Sequence, residues 1–200
     1  MLIGVAQKPA EGQTLCGDAF TIVPRGRLTL VALADGLGHG PEAERAARSF
    51  CSHAEATADL PLETILTSAE RAVAGTRGVA AALLRLDPPS HFEFAGIGNV
   101  VLRVVSHTPI HPLSVAGTLG RRNARRARCE RFVVQRGDLL VMHTDGVSGR
   151  WELDRFRADP PERVAQELLE THGRSHDDAT CLVVRWDGDS LRPRGQETEG

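Results

Sequence analysis

Apolar residues recur along the chain with two periods, and the change between them predicts the order of strands and helices. Short apolar runs bounded by Gly, Pro, Asp or Asn indicate strands, whereas apolar residues spaced three and four apart indicate helices. The predicted strands are Leu2–Ala6, Ala19–Val23, Leu28–Ala34, Val79–Leu86, Phe92–Ile97, Val100–Val105, Phe132–Val134, Leu139–Thr144 and Cys181–Trp186. Helices are predicted after the glycine-rich turn that ends at residue 40, near Pro61 and near Pro160.

The grouping of these elements predicts the fold class. Neighbouring strands are joined by short turns, which indicates antiparallel pairing, and we expect the first two helices to cover the same sheet. The pattern therefore predicts two packed sheets flanked by helices, an α+β layered sandwich. We expect one domain over residues 1–188, with a long exposed connection at 106–128 and a disordered tail at 189–200.

Composition narrows the function classes without selecting one. The chain has 200 residues, is 41% hydrophobic and 25% charged, and has a formal net charge of −2, so no general attraction to nucleic acid is expected. No run reaches the roughly 18 to 20 apolar residues of a membrane span, and the four cysteines have neither zinc nor disulfide spacing. We expect a cytoplasmic protein with reduced thiols.

Four aspartates stand where predicted apolar strands begin or end, and they are the main candidates for chemistry. They are Asp18, Asp35, Asp145 and Asp177. Carboxylate oxygens favour hard ions such as Mg²⁺ or Mn²⁺. Two such ions about 3.5 to 4 Å apart could lower the pKa of a shared water, a chemistry that suits phosphate ester hydrolysis. An Asp-Gly pair taken alone is more typical of a tight hairpin turn, and only the repetition of the pattern at other strand ends favours a site.

Three motifs make the chain similar to a known family. They are Ala34-Asp35-Gly36-Leu37-Gly38-His39-Gly40, Thr144-Asp145-Gly146-Val147 and Asp177-Asp178-Ala179-Thr180, supported by Gly17-Asp18-Ala19-Phe20, Gly96-Ile97-Gly98-Asn99 and Gly117-Thr118-Leu119-Gly120. In order and spacing they resemble the metal-dependent protein phosphatases of the 2C type, and more narrowly their bacterial SpoIIE branch. The length is similar to that of the stand-alone phosphatases of stressosome signalling.

The resemblance implies a four-layer α-β-β-α sandwich of two mostly antiparallel sheets, with a site for two Mn²⁺ or Mg²⁺ ions at one end. By position, Asp35 would bridge both ions and the carbonyl of Gly36 would bind one of them. Asp145 and Asp177 would complete the shell of the other ion. Asp35 and Asp145 are accordingly the predicted catalytic carboxylates.

The remaining acids are assigned less directly by the resemblance. Asp18 would act from the opposite side of the site, in the simplest case through a water. Asp178 stands where many relatives have asparagine, which ranks it behind Asp177 as a metal ligand, although the two adjacent acids could exchange roles.

Two departures from the wider family concern the other reacting groups. Eukaryotic relatives have a histidine directly after the first Asp-Gly, whereas this chain has Leu37 there and His39 two residues later. They also have an upstream arginine for phosphate, whereas this chain has Gln13 and Thr14 nearby. A metal-bound water, His39 and His176 all stay open as the acid that protonates the leaving oxygen.

The leading hypothesis is a phosphoserine and phosphothreonine protein phosphatase, monomeric, with a phosphorylated STAS-domain stressosome component as partner. The alternative is a catalytically weak module of the same shape that sequesters a signalling partner. A nucleotide-binding glycine box has little support, because only strands precede it and no GxGxxG or Walker motif is present. The arginine cluster between Arg121 and Arg131 is either a solvated loop or a docking surface for an acidic partner.

Overall fold

Nine strands and three α-helices form the described part of the chain, residues 1–121, 126–152 and 154–189, in a computed structural model. The strands are β1 (Leu2–Lys8), β2 (Asp18–Arg25), β3 (Leu28–Gly36), β4 (Val79–Asp87), β5 (His91–Ile97), β6 (Val101–Val105), β7 (Glu130–Val133), β8 (Leu139–His143) and β9 (Ala179–Arg185). The helices are α1 (Pro41–Ala56), α2 (Leu62–Ala72) and α3 (Pro161–His172), with a short 3₁₀ turn at Asp154–Phe156.

The strands form two antiparallel sheets. One sheet has the order β1-β9-β8-β6 and the other has the order β2-β3-β4-β5-β7. Helices α1 and α2 pack on the five-stranded sheet, and α3 packs on β1 and β9 of the four-stranded sheet. The predicted α-β-β-α sandwich of two antiparallel sheets is therefore confirmed.

Continuous apolar strands arise because each sheet is covered on both faces. In β3, Leu30, Ala32 and Ala34 pack against the helices, whereas Val31 and Leu33 belong to the core between the sheets. In β8 and β9, alternate side chains likewise pack into the core between the sheets and against α3. A strand buried on both faces has no polar side to alternate with, which explains the unbroken run that precedes Asp35.

The segment after β6 differs from the sequence-based expectation. It has no helix or long strand over 106–121, as predicted, but it is not simply exposed, because Leu119 is buried and pairs with Val79 in an isolated bridge. Ala127 is buried as well, so the prediction of a long exposed connection was wrong at these positions. Isolated apolar residues among glycines, prolines and arginines are a weak sequence signal. Arg122, Arg125 and residues 190–200 of the predicted tail lie outside the described residues.

Within residues 1–121, 126–152 and 154–189, the structure contains no helix with the length and apolar character of a membrane span.

Candidate functional site

Asp18 and Asp35 are placed together by the pairing of β2 with β3. The antiparallel register puts Asp18 directly opposite Asp35, at the edge where β3 ends in Gly36. The backbone N–H of Gly36 donates to the carbonyl of Gly17, at 3.1 Å, which continues the pairing past the two acids. Two of the predicted carboxylates therefore meet at one end of the five-stranded sheet.

The other acids come from the same end of the four-stranded sheet. Asp145 follows β8 by two residues, and Asp177 and Asp178 immediately precede β9, which is the antiparallel neighbour of β8. Thr144 connects the two sheets, because its hydroxyl donates to Oδ2 of Asp18 at 2.8 Å. The structure thus brings all five predicted aspartates to one end of the sandwich.

Two glycines allow the backbone to approach closely around these acids. A side chain at Gly36 would overlap the carbonyl of Ala43 in α1, and a side chain at Gly146 would overlap the carbonyl of Asp178. A residue with a Cβ at either position would force these segments apart. The glycines of the two Asp-Gly pairs therefore serve packing at the site, beyond any role in turns.

Two carboxylate oxygens at the site are buried without a hydrogen-bond donor. Asp18 and Asp178 are each 4% exposed. Oδ2 of Asp18 accepts from Thr144, and Oδ1 of Asp178 accepts from the backbone N–H of Ala10 at 3.0 Å. Oδ1 of Asp18 and Oδ2 of Asp178 have no partner among the described residues. Buried carboxylate oxygens are costly unless a cation or donor satisfies them.

The acids also disfavour one another's charge. Burial raises the pKa of Asp18 to about 7, against the opposing effect of the hydrogen bond from Thr144. Burial raises the pKa of Asp35 to about 8, and the charges of Asp18 and Asp145 add to the rise. Burial and the charge of Asp145 raise the pKa of Asp177 as well. Such shifts are expected where several carboxylates share one site without counter-ions.

The donor set fits hard divalent cations. It consists of carboxylate oxygens, two of which are buried and unsatisfied, and this is the chemistry that Mg²⁺ and Mn²⁺ prefer. No three of the His, Cys, Asp and Glu side chains in the described ranges already stand in the geometry of a cation site. The acids are therefore close enough to raise one another's pKa, but their side chains are not arranged around a single cation position.

The two histidines considered as proton donors line one cavity, whose lining includes Ala10, the backbone donor to Asp178. His39 is exposed in the turn before α1, and His176 is exposed next to Asp177. Both line a cavity of about 280 Å³ together with Glu11 and Gln13. Either imidazole can therefore meet a ligand that enters this cavity.

Three polar residues that support the acids escaped prediction. Asn99 donates from Nδ2 to Oδ2 of Asp145 at 2.7 Å, and Gln7 donates to the carbonyl of Asp18 at 3.1 Å. The hydroxyl of Thr144 also accepts from the backbone N–H of Thr180 at 3.0 Å. Asn99 and Thr144 belong to the sequence motifs shared with the family, so the sequence contained an indication of their importance. Nothing in the sequence distinguished Gln7.

Several arginines of the Arg121–Arg131 cluster have partners among the described residues. Arg131 pairs with Asp87 at 2.9 Å, and Arg128 lies 3.7 Å from Glu130. Arg121 donates from Nε to the carbonyl of Arg77 at 3.1 Å. At least Arg131 and Arg121 thus have structural partners of their own.

The sequence matches a protein-family model and is similar to a characterised phosphatase. The family model described as "Stage II sporulation protein E (SpoIIE)" matches residues 25–187. The phosphoserine phosphatase RsbX of Bacillus subtilis (strain 168) is 28% identical over 149 residues, which cover 72% of this chain and 73% of RsbX.

Solved structures agree with the sequence match. One, described as "The bacterial stressosome: a modular system that has been adapted to control secondary messenger signaling", is 31% identical with a TM-score of 0.88, covering 92% of this chain and 98% of the other. A crystal structure of RsbX in complex with magnesium is 24% identical with a TM-score of 0.79, covering 90% of this chain and 92% of the other.

Proposed function

The chain belongs to the SpoIIE family of PP2C-type protein phosphatases, and from this premise we propose that it is a metal-dependent phosphoserine and phosphothreonine phosphatase. One observation carries the proposal. Five aspartates from both sheets meet at one end of the sandwich, and two of their oxygens are buried without a donor. A site of this kind requires cations to be stable with its carboxylates ionised.

The proposed cofactor is a pair of Mg²⁺ or Mn²⁺ ions. When bound, such ions supply Lewis-acid activation of water and positive charge beside the phosphoryl oxygens. Asp35, Asp145, Asp177 and the carbonyl of Gly36 are the proposed direct ligands.

Asp18 and Asp178 have a different place in the proposal. Both are more deeply buried than the other acids, and each has one oxygen fixed by a donor of the chain. Each therefore has one carboxylate oxygen held by a donor of the chain and one buried oxygen left for a cation or a water. In this proposal Asp18 and Asp178 hold the remaining coordination positions, directly or through water.

The leaving serine or threonine oxygen needs a proton as the P–O bond breaks. His39 is exposed and lines the cavity that also contains Ala10, whose backbone N–H donates to Asp178. We assign it this role, with His176 on the same cavity as the competing donor.

The proposed substrate is a phosphorylated STAS-domain component of a stressosome, and the protein is proposed to act as a cytoplasmic monomer. The support is the similarity to RsbX and to a structure described in connection with the bacterial stressosome.

The test is Mn²⁺-dependent release of phosphate from a phosphorylated STAS protein. We expect Asp35→Asn and Asp145→Asn to lower turnover by about two orders of magnitude or more, because each removes a charge that holds the cations. Asp59→Asn is the matched control, since Asp59 is exposed on the surface and lies 3.7 Å from Arg25.

Unchanged turnover in both site variants would refute the assignment of the residues. A wild-type protein that binds Mn²⁺, releases no phosphate and binds the STAS partner stably would instead favour the sequestering module.

A further inference from the structure

The guanidinium of Arg77 lies against the glycine turn that follows Asp35. Arg77 precedes β4 by two residues, and the backbone N–H of Leu37 donates to the carbonyl of the next residue, Gly78, at 3.0 Å. Nη1 of Arg77 is 2.7 Å from the position that a Cβ at Gly38 would occupy. The absence of a side chain at residue 38 therefore leaves the space that this guanidinium takes.

The backbone at Arg77 is fixed from its other side. Nε of Arg121 donates to the carbonyl of Arg77 at 3.1 Å, and Val79 exchanges two backbone hydrogen bonds with Leu119, at 2.9 and 3.1 Å. Gly78 has a φ of +96° and packs against the carbonyl of Leu119. The arginine thus projects from a segment held between the glycine turn and residues 118–121.

No acidic side chain within the described ranges forms an ion pair with Arg77. Its side chain is exposed. Arg27 and Arg131, by contrast, share the carboxylate of Asp87. The positive charge of Arg77 is therefore exposed near the turn that follows Asp35, and no carboxylate of the described residues pairs with it.

The excess negative charge of the metal-loaded site suggests a role for Arg77 in binding phosphate. Five carboxylates carry one more negative charge than two divalent ions can neutralise, so the loaded site still repels a phosphate dianion at longer range. A guanidinium at the rim offsets that repulsion and can donate two parallel hydrogen bonds to phosphoryl oxygens.

We propose that Arg77 is a substrate-binding residue that contacts the non-bridging oxygens of the phosphoryl group. The inference rests on the proposed phosphatase function and identifies a side chain that would bind the phosphate in addition to the metal ions. It places the phosphate above the Gly36–Gly38 turn, between the guanidinium and the carboxylates.

The experiment measures binding of inorganic phosphate to the Mg²⁺-loaded protein by calorimetry, for the wild type, Arg77→Ala and Arg77→Lys. Loss of one charge-assisted contact is expected to weaken phosphate binding by about 10- to 100-fold in Arg77→Ala. Arg77→Lys keeps the charge without the planar fork and should fall between the two. Arg163→Ala, an exposed arginine of α3 that pairs with Asp159, should bind phosphate as the wild type does.

Mg²⁺ affinity and thermal stability are measured in the same samples. Stability should be unchanged in Arg77→Ala, because the side chain is exposed, and Mg²⁺ should bind at least as tightly as in the wild type, because the variant removes a positive charge and no acid of the site. Phosphate binding that is unaltered in Arg77→Ala would overturn the role of Arg77, while turnover of the phosphorylated STAS protein by the wild type would leave the phosphatase function standing. A wild-type protein that binds Mg²⁺ but neither binds phosphate nor hydrolyses the phosphoprotein would overturn both.

Discussion

The hydroxyl of Thr144 donates a 2.8 Å hydrogen bond to Oδ2 of Asp18, and this bond joins the ends of the two sheets at the candidate site. The same hydroxyl accepts from the backbone N–H of Thr180 at 3.0 Å. Thr144 is fully buried, so no water can replace either bond. Thr144 therefore holds the carboxylate of Asp18, while Gln7 of the four-stranded sheet holds its backbone carbonyl at 3.1 Å.

Replacing this hydroxyl by a methyl group should destabilise the protein. Thr144→Val keeps the volume but leaves a buried carboxylate oxygen and a backbone N–H unpaired, which should lower the free energy of unfolding by about 1–3 kcal/mol. Urea denaturation of the metal-free protein measures the change. Thr144→Ser keeps the hydroxyl and is the control, and a Val variant as stable as the Ser variant would contradict the role given to this bond.

Asn99 should matter for cation affinity more than for folding. Its Nδ2 orients Asp145 through a 2.7 Å hydrogen bond, but the side chain is exposed. Groups that orient a metal ligand typically contribute 10- to 100-fold in affinity, so we expect Asn99→Ala to weaken Mn²⁺ binding by about that factor. Calorimetry measures it, with the exposed Gln135→Ala as control. Equal affinity in both variants would show that Asp145 needs no such support.

Gly146 should tolerate no side chain. A Cβ there would overlap the carbonyl of Asp178, so the segment that carries Asp177 and Asp178 would have to move. We expect Gly146→Ala to cost about 1–3 kcal/mol of stability and to weaken Mn²⁺ binding. Gly149→Ala is a close control, because a Cβ at Gly149 would meet nothing within 4 Å, and its stability should stay within about 0.5 kcal/mol of the wild type.

The pKa shifts predict how the metal-free protein responds to pH. The pKa of Asp18 is raised from 3.8 to about 7 and that of Asp35 from 3.8 to about 8, in both cases chiefly by burial. The folded chain therefore holds more protons than the unfolded chain between these values. Stability from these groups is full below the unfolded pKa and is lost as the pH rises through the folded pKa.

We accordingly expect the thermal midpoint of metal-stripped protein to fall between pH 5 and pH 8, and Mn²⁺ to restore it at pH 8. Asp18→Asn and Asp35→Asn imitate the protonated carboxyl and should each flatten the decline. A decline of the same size in both variants would mean that other groups cause it.

The fold could be predicted largely from sequence because its helices and strands carry strong local signals. The run that ends at Asp35 is apolar throughout because β3 is covered on both faces, and Ala43, Ala46, Ala47 and Phe50 mark the buried face of α1. The burial of Leu119 was harder to predict, because it depends on a β-bridge to Val79, a residue distant in sequence.

The acids of the site were predictable for a similar reason, since each stands where an apolar run begins or stops. Their supporting residues were not. The contacts of Gln7 with Asp18, of Asn99 with Asp145 and of Arg77 with the Gly38 turn depend on the register between strands, which a single sequence does not encode locally.

The central claim is that aspartates from both sheets converge on a pair of hard cations. Crystals grown with Mn²⁺ and measured for anomalous scattering test it most directly. The account predicts two anomalous peaks about 3.5 to 4 Å apart, with Asp35 contacting both and Asp145 and Asp177 contacting one. Absence of anomalous signal among these carboxylates at millimolar Mn²⁺, or peaks bound only elsewhere on the surface, would contradict it.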